Sequence, residues 1–277
     1  MNTAEKYIAG LKKAYFDNNG KESWEHFEKI KHGASKEDIS KLKKLYPDIP
    51  ETLINLLEYV DGTYWREYAE EEIAFYFLGS DVEKYPYYIL SSKEIVENQN
   101  IAISYYSDYI ERKFEEVEID KKITNKVDAV KWLHFSDCMN NGGTSQLFID
   151  FSPSTNGKAG QVIRFLHDPD EFKVIADSFD IYLKMLIDNE YDFINEDTIS
   201  APKSERWHVG ALINFRWFNN MKSRMTGDCH VRFRGNVGVK FPCVTRLGVS
   251  PKIMILSRHR HFSMLKKPTK DAIIMES

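Results

Sequence analysis

Cysteine is scarce in this chain of 277 residues: there are three, at Cys138, Cys229 and Cys243, an odd and widely spaced set. It supports neither a disulfide framework nor a CxxC metal or redox motif, and a reducing cytoplasm fits it best. No stretch approaches the roughly 18 consecutive apolar residues of a spanning helix. The opening MNTAEKYIAGLKKAYFDNNGKESW is charged throughout and lacks the apolar core and small-residue cleavage site of an export leader. Export and membrane insertion by those routes are therefore not expected.

Catalytic signatures are equally sparse. Gly157-Lys158 has the look of a phosphate-binding lysine, but Ser152 stands where the earlier glycine belongs, and Ala159 where Ser or Thr would hold the metal. A hairpin turn needing glycine for positive φ explains Gly157 more simply. His167, Asp168 and Ser178 supply the residue types of nucleophilic hydrolysis, but GxSxG is absent and Ser178 has the position of a helix N-cap. His134, in WLHF, reads as a packed or surface imidazole rather than a base. Asp137, Asp150 and Asp168 each lie near a strand end, where turn roles account for them better than acid/base or cation chemistry. No catalytic residue, cofactor or metal ligand is assigned, and an enzyme is not expected.

The chain does have 42% hydrophobic and 13% aromatic residues, enough for one good core and a smaller appended unit. Its net charge of −4 hides an asymmetry. Residues 202–277 hold 15 Lys plus Arg against 4 Asp plus Glu, leaving 23 against 38 in residues 1–201. An acidic body thus carries a basic tail, a pattern that speaks to charged partners rather than to fold.

Apolar spacing predicts helices over 3–18 and 22–31. Ser35 with Asp38 looks like a capping box opening a helix that Pro47 stops, and Pro50 then opens a strongly apolar helix ending near Asp61-Gly62. The period changes after Gly62. IAFYFLG at 73–79 reads as a buried strand and Tyr85–Leu90 as another extended piece, followed by a helix started by Ser91 or Ser92. KWLHFSD leads into QLFIDF and QVIRFL, two strands flanking a polar turn with Pro153, Asn156, Gly157 and Gly160. Alternation puts Leu147, Ile149 and Phe151 on one face and Asp150 with Phe148 on the other. A last helix starts at Asp177 or Ser178. Helices, then strands, then a helix predict an α+β fold rather than βαβ units.

Two segments carry a family resemblance: GASKEDISKLKKLYPDIPETLINLLEYVDG, and the run WLHFSDCMNNGGTSQLFIDFSPSTNGKAGQVIRFLHDPDEFKVIADSFDIYLKMLI. Together they resemble the SUKH superfamily, which includes a fungal cell-wall-synthesis regulator and many bacterial proteins. The likeness spans about residues 30 to 195. It implies helices packed around a mostly antiparallel sheet. In bacteria it implies an immunity protein that neutralises a cognate toxin, commonly a nuclease; in fungi it implies a regulatory interaction module.

The expected division is a helical lead-in at 1–30, a SUKH-like domain at 31–200 and a basic C-terminal extension at 201–277. Within the domain, TYWREYAEEE offers a partner surface in which Tyr64, Trp65 and Tyr68 are aromatic anchors and Glu70, Glu71 and Glu72, with Glu67, form an anionic rim. Glu111, Glu115, Glu116, Glu118 and Asp120 would extend that field and steer a basic toxin. The extension interleaves Trp207, Phe215, Trp217, Phe218 and Phe233 with arginines, a mix suited to nucleic acid. Its Cys229, His230, Cys243, His259 and His261 lack regular zinc spacing. MTGDCHVRFRGNVGVKFPCVTRLGVSP also resembles translations trailing mobile elements, so an acquired, poorly ordered extension is the favoured expectation. The function expected is a non-catalytic cytoplasmic immunity protein, with no membrane partner and no small-molecule substrate. A regulatory scaffold, or nucleic-acid binding by the tail, is the alternative.

Overall fold

A computed structural model describes residues 2–64, 66–68, 71–138, 145–167 and 169–199, together with 229–232 and 238–241. The chain divides into two units, 1–225 and 226–277. In the second, strands β9 (Cys229–Arg232) and β10 (Gly238–Phe241) form an antiparallel hairpin in which Lys240 faces His230. The rest of the basic extension lies outside the described residues, as do Cys243, the two late histidines and, Arg232 apart, its arginine–aromatic mix.

The first unit opens with helices α1 (Thr3–Asp17), α2 (Lys21–Ile30), α3 (Lys36–Leu45) and α4 (Glu51–Tyr59). Asn2 and Glu5 form a full capping box on α1. At α3 the box is incomplete: the Ser35 hydroxyl accepts from the Asp38 amide, but the Asp38 carboxylate, one methylene shorter than that of Glu, accepts from that hydroxyl instead of reaching the backbone. Pro50 occupies the N-cap of α4. Next come β1 (Arg66–Tyr68), β2 (Glu71–Ile73), β3 (Tyr88–Ile89), α5 (Ser92–Glu97), α6 (Ile101–Ile110) and β4 (Glu118–Ile119). Strands β5 (Trp132–Cys138), β6 (Ser145–Asp150), β7 (Gln161–Leu166) and β8 (Glu171–Ala176) precede α7 (Phe179–Asp188) and the single turn α8 (Glu196–Ile199).

The six-stranded sheet runs β3-β5-β6-β7-β8-β4, antiparallel except for the β8–β4 pair. The fold is α+β with a mostly antiparallel sheet. Alternation divides its side chains as expected. Leu133, Phe135, Leu147, Ile149 and Val162 enter a large core with α1 to α5 and α7, whereas Trp132, Phe148, Ile163, Phe165 and Phe172 enter a second core with α6. A register shift between His134 and Ser136 adjusts β5 against β6. Helices α1 and α2 contribute Tyr7, Leu11, Trp24 and Phe27 to the large core.

The segment 73–79 corrects the expectation of a strand. Only Ile73 belongs to one, and the remainder is buried irregular chain with a single bridge, Leu78 to Tyr87. Helix α1 supplies the reason. Tyr7 donates its hydroxyl to the Phe77 carbonyl (2.6 Å) and Tyr15 to that of Tyr76 (2.8 Å), satisfying acceptors that a neighbouring strand would otherwise take. Phe75 stacks on Tyr15 and Phe27, with centroids at 4.5 and 4.1 Å.

One buried cation crosses the large-core side of the sheet. The Arg164 side chain is 3% exposed, donates to Asp81 (2.5 Å) and Glu171 (2.6 Å), and Lys173 donates to the same Asp81 (2.7 Å). The network ties the loop after Gly79 to β7 and β8. Burial pushes the Asp81 carboxyl up, but hydrogen bonds from Arg164 and Lys173 outweigh it and hold the group below its usual range. Substituting Arg164→Met leaves two carboxylates short of their counter-charge and is expected to cost about 3–5 kcal/mol in urea denaturation. A carboxyl with a depressed folded pKa stabilises fully above its unfolded value and loses that contribution as pH falls. Wild-type stability should therefore decline below about pH 4, and the decline should be smaller in Arg164→Met.

Candidate functional site

The partner surface expected at 63–72 is a two-stranded hairpin, β1 paired antiparallel with β2. Its base is fixed by a buried carboxylate. Asp61, directly after α4, accepts from the amide and hydroxyl of Ser92 (2.8 and 2.7 Å) through one oxygen and from Arg66 (2.9 Å) through the other. The end of α4, the start of α5 and the first hairpin strand therefore meet at one side chain. Gly62 makes the meeting possible: its φ is +92°, and a Cβ there would lie 2.7 Å from the Ser91 nitrogen. Thr63 completes the base by donating its amide to Ile89 and accepting from the Ile89 amide on its hydroxyl.

The expected site residues divide here. Tyr68 is 1% exposed and donates its hydroxyl to the Gly62 carbonyl (2.8 Å), so it fastens the hairpin to the body and does not face a partner. Tyr64 is half-buried, its ring 5.2 Å from that of Tyr88. Glu71 is exposed and lies 2.9 Å from His26 of α2. Glu67 is exposed and pairs in register with Glu72. Trp65 and Glu70 lie outside the described residues, as does the side chain of Glu72.

In the second acidic group Glu111, Glu115, Glu116 and Glu118 are exposed. Asp120 is withdrawn from it, accepting from the amides of Lys122 (2.9 Å) and Val174 (3.4 Å). The adjoining cations do little to neutralise the group. Arg112 turns inward to the carbonyls of Ile110, Ile123 and Thr124, and Lys113 is shared between Asp108 and Glu111 at 2.8 and 2.7 Å.

The residue sets weighed for chemistry are held apart. Asp150 faces Trp132 while Asp137 faces Gln146, so the two carboxylates sit at opposite ends of the β5–β6 pair, about 15 Å apart at strand spacing. Asp150 is buried and accepts from the Ser152 amide (2.8 Å) and Gln161 (2.9 Å); burial pushes its carboxyl up against those bonds. His134 is buried, its Nε2 donating to the Ser136 carbonyl (3.0 Å) and its Nδ1 facing the Asn98 amide (3.1 Å). His167 precedes β8, and Ser178 lies beyond the other end of that six-residue strand, capping α7. Asp168 is outside the described residues. Lys158 is engaged with Asp177 at 2.6 Å. The reason for Gly157 differs from the one expected: positive φ belongs to Gly160, and Gly157 is required because a Cβ would lie 2.4 Å from the Lys122 carbonyl. Among the described residues no three His, Cys, Asp or Glu groups are placed to hold a metal, and no helix is long and apolar enough to cross a membrane.

These elements define an α+β domain in which a mostly antiparallel sheet is covered on both faces and its acidic groups lie on a hairpin and on the segment after α6. The chain belongs to the SMI1 / KNR4 family (SUKH-1), whose sequence profile matches residues 33–185, more than half its length. Comparison with curated proteins gave no match. Helices α1 and α2 precede the matched span and share its core.

Because Asp61 fixes the hairpin base, Asp61→Ala leaves the buried Ser92 amide without its acceptor and Arg66 without its counter-charge. The expected loss is about 3 kcal/mol in chemical denaturation. Hydrogen exchange should accelerate at the Thr63 and Ile89 amides while the β6 and β7 amides keep their protection.

Proposed function

We propose that this protein is a non-catalytic immunity protein that binds a cognate basic toxin stoichiometrically and covers its active or substrate-binding face. Membership in the SMI1 / KNR4 family (SUKH-1) supports the reading, and one local observation carries it to a surface. The hairpin places Glu67 directly opposite Glu72, with Glu71 exposed one position away. The exposed carboxylates of Glu67 and Glu71 are the complement of a lysine- or arginine-rich partner surface. Tyr64 and Trp65 flank these carboxylates in sequence and are residue types that interfaces favour for their low-entropy aromatic area.

The neutralising partner is sought in the adjacent reading frame. Calorimetry of the full chain with that toxin domain should show one-to-one binding that weakens as salt rises. The charge reversal Glu67→Lys with Glu71→Lys should slow association by about tenfold or more, because charged rims act chiefly on encounter. Unchanged killing on co-expression with every neighbouring toxin candidate would defeat the proposal.

A further inference from the structure

The outer side of helix α6 carries an aromatic row whose ends are exposed and whose middle, Tyr109, also packs against the second core. Its inward face, Ala102, Tyr106 and Ile110, is consumed by the second core. On its outer side Tyr105 is 55% exposed and, one turn on, Tyr109 is half-buried; Phe114, just past the helix, is 41% exposed. The rings of Tyr109 and Phe114 lie 5.2 Å apart, and Tyr109 donates its hydroxyl to Asp170 at 2.8 Å, which holds the middle of the row in place. Among the described residues the exposed large hydrophobic side chains are Ile103, Tyr105, Phe114 and Ile181, so three of four fall on α6 or its first turn beyond. Trp24, Trp132 and most of the described phenylalanines are buried, so this concentration is out of character.

The charge around the row selects the occupant. Residues 101–120 hold six carboxylates against Arg112 and Lys113. Arg112 is spent on backbone carbonyls and Lys113 on two of those carboxylates, while Glu115 and Glu116 are exposed beside Phe114. Aromatic anchors inside an anionic rim match an apolar pocket edged by lysine or arginine. We infer that the Tyr105–Tyr109–Phe114 row is a docking surface for a basic protein partner, separate from the β1–β2 hairpin. The inference rests on the immunity reading in taking that partner to be the toxin. The hairpin carboxylates act on encounter, and the α6 row holds the complex once formed, so its loss is read in the dissociation rate.

The test uses the full chain with two probes, the toxin domain encoded next door and a lysine- and leucine-rich amphipathic peptide. Hydrogen exchange should slow across 101–116 with both. The variants Tyr105→Ser and Phe114→Ser should each weaken toxin binding by about tenfold or more, mostly through faster dissociation, with the thermal midpoint unchanged because both rings are exposed. A toxin that binds without protecting α6, and equally well to both variants, overturns the inference and leaves the immunity reading intact. A peptide that protects α6 when no toxin binds sustains the basic docking surface and overturns the immunity reading. Protection by neither probe overturns both. Self-association in sedimentation that Phe114→Ser abolishes would make a second copy the occupant and overturn the inference.

Discussion

A sheet whose strands are apolar on both faces must be covered twice, and the architecture of this protein follows from that demand. In β6 and β7 successive residues enter opposite cores: Leu147 and Ile149 with Val162 on one side, Phe148 with Ile163 and Phe165 on the other. Each such side chain contributes about 1.5–3 kcal/mol when fully buried, so leaving either face open would forfeit a large part of the fold's driving force. The large core takes α1 to α5 and α7. Helix α6 covers the second face, which fixes Ala102, Tyr106 and Ile110 inward and decides which of its residues remain for solvent or a partner.

The second constraint is backbone polarity. The chain is buried from 74 to 80 and from 85 to 90, yet only Tyr88 and Ile89 form a ladder there. Its carbonyls are met by tyrosine hydroxyls from helices, Tyr7 to Phe77, Tyr15 to Tyr76 and Tyr182 to Gly79. Tyr46 and Tyr191 donate in the same way to carbonyls of regular elements, Trp132 in β5 and Tyr7 in α1. A tyrosine fills core volume and ends in a donor, so it closes irregular backbone that a strand would otherwise have to pair. Burial pushes the hydroxyls of Tyr46 and Tyr191 up to about 12, and they stay protonated as donors at neutral pH. The aromatic richness of the chain is thus partly a substitute for regular secondary structure.

Much of this was legible because it is written locally. Helices α1 to α4 and α7 show their apolar spacing in sequence, α3 and α7 also their N-cap serines, and the alternation of QLFIDF assigns the faces of Phe148 and Leu147 as the structure has them. The strand expected at 73–79 was not legible as irregular chain, because the donors that replace its ladder sit some 60 to 70 residues away on α1. Tyr68 misled for a similar reason. Its neighbours are charged, but its hydroxyl is taken by the Gly62 carbonyl at a turn whose closure depends on Ser92, far along the chain. Of the candidate surface, Glu67, Glu71, Glu111, Glu115, Glu116 and Glu118 are exposed, as charged residues usually are, while Asp120 is drawn into backbone contacts that composition does not reveal. The aromatics were not legible, because exposure is decided by which face of a helix the sheet claims: Tyr105 and Tyr106 are adjacent in sequence and opposite in fate.

The two features that folding does not explain share a location in the energetic scheme. The exposed carboxylates of Glu67 and Glu71 and the exposed rings of Tyr105 and Phe114 all lie outside the two cores, where a local cost does not propagate into packing. Each is nevertheless anchored by a part-buried polar contact: Asp61 to Arg66 beneath the hairpin, and Tyr109 to Asp170 beside Phe114. Surface groups that are locally unfavourable would drift if held only by their own side chains. Holding them from below keeps their geometry fixed before a partner arrives, so less ordering entropy opposes binding. Stability in this fold is concentrated in the sheet and its tyrosine fasteners, and that surplus allows a charged hairpin and an aromatic helix face to stay presented to solvent.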